Sequence, residues 1–475
     1  MEAGLHDRLN HPPAATPAGI VHLGLGAFFR AHVASYLADA MARHGGDWGV
    51  IGVSLQSPGT RDRLRPQGWA YTAVELAPDG EKPQIMTLLR DVLVAPENPQ
   101  AVLDAMAAET VSIVSLTVTE KGYCHEPATG RLDPAHPDIA HDLEHDLPKS
   151  APGYLVRALQ LRHARGLPPF TVLCCDNLPE NGRVVRAVVL ELARLIDPAL
   201  ADWIGDNGAF PSTMVDRIVP ATTPDDLDRV AALTGLRDEA PVMHEPFRQW
   251  VIEDHFCGPR PDFSGTGAQL VADVTPFEHM KLRMLNGTHS ALAYLGYLAG
   301  HQTIADVMTD PAFVAYARHL WQAEIIPTLT PPENTDLGAY ADALAARYAN
   351  PAIRHQTWQI AMDGSQKLPQ RILATIADNR AAGRDISGQA LAVAAWMRYT
   401  SGRDETGAPI DVKDPLAPRL AALWHEDPRD TVTAFLALSE VFPETLRNDA
   451  GFADALTQAL SGLVAQGARA MVADV

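Results

Sequence analysis

The stretch Ala18–Phe29, AGIVHLGLGAFF, decides the expected fold of this chain. It begins as an apolar, β-branched run and ends in Gly24 and Gly26, ahead of a segment with helical spacing, RAHVASYLADAMARHG. Glycines between a strand and a helix let the main chain approach a pyrophosphate, which then lies at the positive end of the helix. The full fingerprint has a third glycine, where this chain has Phe29. A plain structural turn explains a lone Gly-x-Gly equally well, so the motif alone leaves nucleotide binding open.

Similar short apolar runs recur through the first half of the chain and alternate with helical segments. WGVIGVSL, SIVSLTVT and FTVLCCDN are runs of the kind that fill a parallel sheet buried on both faces. Helical segments such as GRVVRAVVLELARLI separate some of them. This alternation predicts a doubly wound α/β sheet.

The pattern changes near residue 273, after which strand-like runs become scarce and helical spacing dominates. We therefore expect an α/β domain over 1–273 and a mostly helical domain over 274–475, with the helix that opens the second domain facing the crevice between them. Ligand sites favour such positions. One apolar stripe of the expected C-terminal helix consists of Phe452, Leu456, Leu460 and Leu463.

Composition narrows the range of partners. The 475-residue chain carries a formal net charge of -20, which argues against tracking nucleic acid phosphates or an anionic membrane. The neighbouring Cys174 and Cys175 do not resemble a disulfide framework, and no Cys-x-x-Cys pair indicates zinc. The N-terminal MEAGLHDRLNHPP has no apolar core for a signal peptide, and no run approaches a membrane span. We expect a soluble, cytoplasmic protein with a small-molecule substrate, either a monomer or a small homo-oligomer.

Polar residues interrupt the apolar helical run TPFEHMKLRMLNGTHSALAYLGYLAG. Lys281, Asn286 and His289 are spaced by five and three residues and are expected to share roughly one side of a helix. A lysine on an apolar helix usually extends its amine to water. The alternative is a buried lysine whose lowered pKa allows proton exchange near neutrality.

A second polar cluster, CDNLPENG, follows a predicted strand at the carboxyl end of the sheet. Asn177 there is expected beside the nicotinamide end of a bound dinucleotide, although an asparagine that caps a turn explains it equally well. Two asparagine amides and one lysine that converge on a point would form a metal-free site for carbonyl reduction.

Cofactor choice stays open on the residues alone. The tip of the second strand offers Gln56 and Ser57, where an acidic residue would normally hold the ribose hydroxyls of NAD. Arg61 and Arg63 follow and could accommodate the 2′-phosphate of NADP, or they are solvated loop charges.

Two other classes of protein remain open on the residues. His136, His141 and His145 lie close together in DPAHPDIAHDLEHD and could hold zinc, but the order is not His-Glu-x-x-His and the segment is acidic. A sugar-binding or regulatory protein that kept the fold but lost catalysis is the other class, and the joint presence of Lys281, Asn286, His289 and Asn177 speaks against it.

Several motifs together resemble one family. These are IVHLGLGAFFRAH, SLTVTEKGYC, CDNLPENG, TMVDRIVPAT, EPFRQWVIED and KLRMLNGTH, spread from about residue 19 to about 470. They are similar to those of the polyol-specific long-chain dehydrogenase/reductase family, which contains mannitol 2-dehydrogenases and mannonate oxidoreductases. The resemblance implies a Rossmann-like N-terminal domain, a mostly α-helical C-terminal domain, NAD as cofactor with NADP not excluded, and no catalytic metal.

The resemblance also implies roles for individual residues. Lys281 matches the general acid/base, Asn177 and Asn286 match the pair that binds the oxyanion, and His289 matches the residue that orients the substrate. Glu278 matches a carboxylate that links the lysine to solvent. The positions that match cofactor contacts are Gly24, Gly26, Phe28, Arg30, Gln56, Thr117, Val215 and Asp216, the last of which also borders the substrate. Phe29 departs from the family pattern, which often has histidine there.

The segment TWQIAMDGSQKLPQR resembles the branch of the family that reduces D-fructuronate to D-mannonate. The mannitol branch usually has arginine and histidine in place of Gln359 and Met362. A uronate needs a cation for its carboxylate, and Lys367 and Arg371 are the candidates. Either residue could instead cap a helix or pair with a surface acid. A mannitol 2-dehydrogenase or a related polyol and ketose oxidoreductase is the alternative.

Overall fold

The glycine-ended run forms the central strand of a five-stranded parallel sheet in the computed structural model, which describes residues 7–12, 16–126 and 129–475. The sheet belongs to the first of two compact units, Met1–Thr275 and Pro276–Val475. The strands of the first unit are β1 (Asp7–Arg8), β2 (Ala18–Leu23), β3 (Gly49–Ser54), β4 (Tyr71–Ala77), β5 (Gly80–Met86), β6 (Leu89–Val94), β7 (Ile113–Leu116), β8 (Thr171–Cys174), β9 (Thr213–Asp216), β10 (Leu236–Arg237), β11 (Val242–His244), β12 (Gln249–Glu253) and β13 (Gln269–Val271).

The order of the five strands is β6-β3-β2-β7-β8, and each neighbouring pair is parallel. Numbered along the chain, this is the order third, second, first, fourth, fifth that is typical of Rossmann domains. The order reverses between β2 and β7, and ligands of such sheets bind at that reversal, outside the carboxyl ends of the strands. The predicted α/β fold class is confirmed.

Helices cover both faces of this sheet. The α-helices of the first unit are α1 (Ala27–Ala31), α2 (Val33–His44), α3 (Gly59–Leu64), α4 (Pro99–Met106), α5 (Pro137–Glu144), α6 (Ala151–Ala164), α7 (Asn181–Ile196), α8 (Pro198–Asn207) and α9 (Pro224–Thr234), with 3-10 turns at Arg65–Gln67 and Glu120–Tyr123. Strand β2 alternates between the two cores, since Val21 packs with residues of α4, α6 and α7 while Ile20 packs with residues of α1 and α2. A strand buried on both faces explains why the run contains so few polar residues.

Smaller sheets flank the main one and were not foreseen from the sequence. Strand β4 pairs antiparallel with β5 and parallel with β11, while β12 pairs antiparallel with β9 and parallel with β13. The last of these sheets carries the carboxyl end of β9, which contains two of the predicted pocket residues, Val215 and Asp216.

The second unit is helical throughout its described elements. Its α-helices are α10 (Thr275–Met280), which begins at the unit boundary, α11 (Thr288–Leu298), α12 (Ile304–Val307), α13 (Pro311–His319), α14 (Leu337–Tyr348), α15 (Thr357–Ile360), α16 (Gly364–Leu368), α17 (Ala374–Ala381), α18 (Ser387–Thr400), α19 (Ala417–Ala422), α20 (Pro428–Leu436), α21 (Glu444–Arg447), α22 (Ala450–Gln466) and α23 (Ala468–Ala473). The predicted apolar stripe lies on α22, where all four residues are buried.

Three segments of the second unit are π-helices, in which the hydrogen bonds run from residue i to residue i+5. They are Lys281–Gly287, Leu320–Ile325 and Pro369–Leu373, with a further 3-10 turn at Ile326–Thr328. The long helix predicted around Lys281 is therefore α10, a π-helix and α11 in succession. Nothing in the residue order had indicated the wider turn.

The described residues include no helix that is both long and apolar enough to cross a membrane. All four cysteines are free thiols, and Cys124, Cys174 and Cys175 are buried. The expectation of no signal peptide concerns residues 1–13, most of which lie outside the described residues.

Candidate active site

The turn after β2 is held close to the end of β7. Gly24 has φ +88, and a Cβ there would lie 2.2 Å from the carbonyl oxygen of Thr117, so only glycine fits. Thr117 Oγ1 donates to Gly24 O at 2.9 Å. Gly26 is different, because the nearest atom to a Cβ there would be Gly24 O at 3.8 Å. Gly24 is needed for packing, whereas the space at Gly26 suits the approach of a ligand to the main chain.

Phe29 occupies the position of the third glycine and fills it with an aromatic contact. Its ring is fully buried and stacks on His22 with centroids 3.7 Å apart. The His22 ring nitrogens lie 2.9 Å from the hydroxyls of Ser115 and Thr117. Burial lowers the pKa of His22 to about 3, so the ring is neutral. The first helix therefore packs on the sheet through a pair of rings rather than through close backbone contact.

The remaining predicted cofactor residues near this turn differ in exposure. Phe28 is partly buried and stacks on His32 with centroids 4.9 Å apart. Arg30 is buried, and its guanidinium donates to Gly26 O at 3.3 Å and to Ala240 O at 2.5 Å. Gln56 follows β3 and is exposed. The side chain of Arg30 thus stabilises the turn by binding the main-chain oxygen of Gly26. Contact of these residues with a cofactor stays a prediction.

Arg61, one candidate for binding a 2′-phosphate, is held by two carboxylates. Its guanidinium donates to Asp62 Oδ1 at 2.9 and 2.8 Å through Nε and Nη2, and to Glu97 through both terminal nitrogens. The hydrogen bonds that the guanidinium donates to these carboxylates, to Glu97 first, raise its pKa. The positive charge of Arg61 is therefore already matched within the first unit.

The loop after β8 carries Asn177, which is exposed. The buried asparagine of this motif is instead Asn181, whose Nδ2 donates to Asp176 O at 3.0 Å and to Thr213 O at 2.9 Å. Asn181 Oδ1 accepts from Thr213 N at 2.9 Å. Asn181 thus links the loop to β9.

Val215 and Asp216 end β9 and are buried, each 4% exposed. They pair with Trp250 and Gln249 of β12. Gly24, Thr117 and Asn177 thus follow β2, β7 and β8 at the carboxyl edge of the five-stranded sheet, the edge where such sheets bind dinucleotides, whereas Val215 and Asp216 end a strand of a separate sheet.

In the second unit, the first π-helix begins at Lys281 and has Asn286 as its penultimate residue. Both are buried, with 8% of Lys281 and 9% of Asn286 exposed. In a regular α-helix, residues five apart point about 140° away from each other. A turn closed from i to i+5 is wider, so residue i+5 lies closer to the side of residue i than it would in an α-helix. His289, three residues further into α11, follows on the same side at 8% exposure. The shared side expected from the sequence depends on this π-helix.

Two side chains bind carbonyl groups of the wide turn. Trp321 Nε1 donates to Met284 O at 3.0 Å, and Tyr348 Oη donates to Leu285 O at 2.6 Å. Both donors are buried. A π-helix has irregular carbonyl pairing, and these hydrogen bonds stabilise it in place.

His289 lies among aromatic rings and basic groups. It stacks on Tyr348 with centroids 5.1 Å apart and meets His355 edge-on at 4.8 Å. Burial, followed by the charges of His355, Arg371, Arg347 and Lys367, holds the pKa of His289 well below its ordinary value. The ring is therefore neutral and can both donate and accept a hydrogen bond.

Lys367 and Arg371 are both partly buried near this histidine's helix. Lys367 Nζ donates to Met362 O at 2.5 Å, and Arg371 Nη1 donates to Ser290 Oγ at 3.2 Å. A Cβ at Gly287 would lie 2.5 Å from Arg371 O, so the two π-helices meet there in close contact. Glu278, one turn before Lys281, is partly exposed, as a link between the lysine and solvent requires.

The three histidines considered for zinc have other partners. His141 Nδ1 lies 3.0 Å from Asp142 Oδ1, His145 Nδ1 lies 2.9 Å from His141 O, and His136 Nδ1 accepts from Asp138 N at 3.2 Å. Across residues 7–12, 16–126 and 129–475, the group with metal-ligand spacing is His319, Glu324 and Asp385.

That group is explained by helix capping. Glu324 is fully buried and accepts from the backbone N–H groups of Gly388 and Gln389 at the start of α18. The first turn of a helix favours an anion and disfavours a cation, so the arrangement fits a buried cap better than a metal site.

The fold and these side chains together define an oxidoreductase with a dinucleotide-binding sheet and a helical second unit. The chain belongs to the mannitol dehydrogenase family. The mannitol dehydrogenase Rossmann domain matches residues 18–265, and the mannitol dehydrogenase C-terminal domain matches residues 273–464. The resemblance read from the motifs is confirmed, and the enzyme is an oxidoreductase that acts on CH–OH groups.

Similar proteins include members of both branches. The D-mannonate oxidoreductase of Escherichia coli strain K12 is 50% identical over 461 residues, which is 96% of this chain and 95% of that protein. A mannitol 2-dehydrogenase of Pyrenophora tritici-repentis is 40% identical over 462 residues, 96% of this chain and 81% of that protein. The solved Pseudomonas fluorescens mannitol 2-dehydrogenase, in a ternary complex with NAD and D-mannitol, matches with TM-score 0.87 and 38% identity over 98% of this chain and 96% of that one.

Proposed function

We propose that this enzyme reduces the ketone of D-fructuronate to the alcohol of D-mannonate with NADH, and that it also catalyses the reverse reaction. The bound cofactor would supply a hydride from C4 of its nicotinamide to the ketone carbon. Asn177 and Asn286 donate hydrogen bonds to the oxygen as it gains negative charge, and Lys281 gives that oxygen a proton. Glu278 returns a proton to the lysine from solvent, and neutral His289 orients a hydroxyl of the substrate.

The observation that carries the choice of a sugar acid is the group of bases around His289. Arg371, Arg347 and Lys367 all lower the pKa of this buried ring by their charge, and the ring of His355 meets it edge-on at 4.8 Å. The chain as a whole has a net charge of -20, so a group of basic side chains close to the proposed substrate residue His289 stands out against the overall charge. The carboxylate of a uronate would account for this group, since basic side chains bind carboxylates through strong charge-assisted hydrogen bonds.

His355 adds a polar atom to the same surface. Its Nδ1 is buried and has no hydrogen-bond partner among the described residues. Burial, together with the charge of Lys367, lowers the pKa of His355 to about 4. A neutral imidazole with an unpaired nitrogen suits a hydroxyl or carboxylate oxygen of a bound sugar acid.

The relatives support the same branch without deciding it. The Escherichia coli relative is named for D-mannonate, and the segment from Thr357 to Arg371 resembles that branch. The Pseudomonas fluorescens relative binds D-mannitol, which makes a polyol dehydrogenase the second candidate. Gln359 and Met362, in place of the arginine and histidine of that branch, favour the sugar acid.

NAD is the proposed cofactor. The Pseudomonas fluorescens relative was solved with NAD, and Arg61 of this chain is already paired with Glu97 and Asp62. A 2′-phosphate brought to this arginine would also meet two carboxylates, which disfavours NADP. We further propose that residues 1–273 bind the dinucleotide and 274–475 bind the substrate, in a cytoplasmic monomer or small homo-oligomer.

A comparison of substrates tests the proposal. Purified enzyme is mixed with NADH and, in turn, fructuronate, tagaturonate and fructose, and absorbance at the nicotinamide band is followed. We expect kcat/KM for fructuronate to exceed that for fructose by about 100-fold or more, because a charge-assisted hydrogen bond contributes about 1.5–3 kcal/mol and more than one base is present. A preference for fructose would instead identify a mannitol 2-dehydrogenase.

One variant separates the carboxylate contact from a structural role. Arg371→Gln should raise KM for fructuronate about 10- to 100-fold and leave KM for fructose nearly unchanged. Arg318→Gln, which removes an exposed arginine paired with Asp342 in the same unit, is the matched control and should change neither value. If Arg371→Gln lowers stability but not the ratio between the two substrates, the arginine only supports the helix.

A further inference from the structure

Asp176 directly precedes Asn177 in the chain, and its carboxylate binds the loop that follows β7. Asp176 Oδ2 accepts from Val118 N at 2.8 Å, and Oδ1 accepts from Thr119 N at 3.0 Å. The buried phenol of Tyr123 donates to Oδ2 at 2.5 Å. These donors belong to the loop after β7, whereas Asp176 belongs to the loop after β8. One side chain therefore joins two loops at the carboxyl edge of the sheet.

The loop that this carboxylate holds has a strained main chain. Thr119 has φ 67 and ψ 163, a conformation that residues other than glycine seldom adopt. Its N–H group is one of those bound by Asp176. The same loop begins at Thr117, whose hydroxyl donates to Gly24 O in the predicted cofactor turn. Such strain persists only where the surroundings hold it in place.

The main chain of Asp176 is fixed from the other side as well. Its carbonyl accepts from Asn181 Nδ2 at 3.0 Å, and Asn181 binds both polar main-chain groups of Thr213. Thr213 Oγ1 donates to Cys174 O at 2.6 Å. Asp176, the residue before Asn177, is thus held both by its side-chain carboxylate and by its main-chain carbonyl.

From this geometry we infer that Asp176 is a positioning residue for Asn177, and that its carboxylate sets the direction in which the Asn177 amide points. The inference depends on the proposed role of Asn177 in binding the ketone oxygen. Asp176 itself does not touch the substrate in this account. A hydrogen-bond donor assists a developing oxyanion only if it is aimed in advance, and a displacement of about 1 Å can cost about 100-fold in rate.

A double-mutant cycle tests the inference. The variants are Asp176→Asn, Asn177→Ala and both together, each assayed for kcat and KM with fructuronate, for NADH binding by fluorescence and for the melting temperature. Asp176→Asn keeps the shape but replaces one acceptor oxygen by a donor facing a backbone N–H. We expect kcat to fall about 10- to 100-fold while KM changes less than about threefold. In the Asn177→Ala background the same change should alter kcat less than about threefold.

Asp142 supplies a matched control in the same unit. Its buried carboxylate also accepts from two backbone N–H groups, those of Lys149 and Ser150, and from the hydroxyl of Ser150. Asp142→Asn should lower the melting temperature about as much as Asp176→Asn and leave kcat unchanged. A general loss of structure would lower kcat in both variants and would overturn the inference.

Two further outcomes are distinguishable. If Asp176→Asn lowers kcat by the same factor with and without the Asn177 amide, Asp176 acts independently of Asn177 and the inference is wrong. If Asn177→Ala by itself leaves kcat unchanged, the proposed function of Asn177 is wrong, whatever Asp176 does. Should Asp176→Asn fail to fold, Tyr123→Phe removes one donor to the carboxylate, and its smaller decrease in kcat must likewise vanish in the Asn177→Ala background.

Discussion

Tyr348 and Leu285 are joined by a hydrogen bond that lies inside the wide turn of the proposed catalytic helix. The phenol donates to the carbonyl oxygen at 2.6 Å, and the ring of the same tyrosine stacks on His289. The turn begins at Lys281 and contains Asn286. One side chain outside the helix therefore contacts both the backbone of the π-helix and a predicted substrate residue.

Removal of this hydroxyl should impair turnover more than folding. We expect Tyr348→Phe to cost about 1 kcal/mol of stability, the usual net value of one hydrogen bond. We expect kcat to fall about tenfold, because a relaxed turn moves Lys281 and Asn286 out of alignment. Steady-state kinetics and urea unfolding measure the two effects.

A second tyrosine of the same unit provides the control. Tyr316 is buried, and its phenol donates to Gly388 O at 2.8 Å, away from the wide turn. Tyr316→Phe should lose similar stability and keep its kcat. Equal effects of the two variants on kcat would show that the hydroxyl of Tyr348 has no special relation to catalysis.

The pairing of Arg61 with Glu97 leads to a prediction about the cofactor. Glu97→Gln should raise the ratio of kcat/KM for NADPH to that for NADH about tenfold, since it removes one carboxylate and frees the Nη1 side of a guanidinium that stays bonded to Asp62. Glu191→Gln, which breaks the pair between Arg131 and Glu191, is the control and should leave the ratio unchanged. If Glu97→Gln leaves the ratio of kcat/KM for NADPH to that for NADH unaltered, the 2′-phosphate of NADPH does not bind near Arg61.

Buried histidines predict that stability falls in mild acid. Burial lowers the pKa of His22 to about 3 and of His244 to about 4, and it holds the pKa of His289 well below its ordinary value. In the unfolded chain each titrates near pH 6.5. Below that pH the unfolded state binds more protons, so the free energy of unfolding decreases by up to about 1.4 kcal/mol per pH unit for each histidine.

Urea unfolding at about pH 7.5 and about pH 5.5 measures this dependence. The urea midpoint should be lower at the more acidic pH. His244→Gln should reduce the difference between the two midpoints by the contribution of one histidine. His163→Gln, at an exposed histidine, should leave the difference unchanged. Equal midpoints at the two pH values would show that these rings titrate in the folded state.

Much of the fold followed from local patterns in the sequence. The strands β2, β3, β7 and β8 and the apolar stripe of α22 were predicted because burial on both faces of a sheet, or on one side of a helix, leaves a periodic trace. The flanking sheets were missed. One of their strands, β5, has lysine and proline at exposed positions and does not alternate clearly.

The site was predictable only in part, for two physical reasons. Side chains such as Lys281 and Asn286 were noticed because polar residues are unusual in an apolar run. Asp176, Tyr123 and Tyr348 were not singled out, because their hydrogen bonds join positions far apart in the chain. Asp176 is next to Asn177 in the quoted motif CDNLPENG. A carboxylate directly after a buried strand was the signal that could have indicated its role. The π-helix left no pattern that we recognised in residue order, and the side chains that bind its carbonyl groups, Trp321 and Tyr348, lie far from it in the chain.

The rate of hydride transfer in Lys281→Ala tests the central claim most directly. In a single turnover with NADH and fructuronate, the loss of a positioned proton donor should slow the reaction about 10²- to 10⁴-fold, while NADH binding stays unchanged. Small primary amines added to the solution should restore part of the rate. A variant that binds NADH and transfers hydride at nearly the normal rate would contradict the assignment of Lys281 as the acid/base.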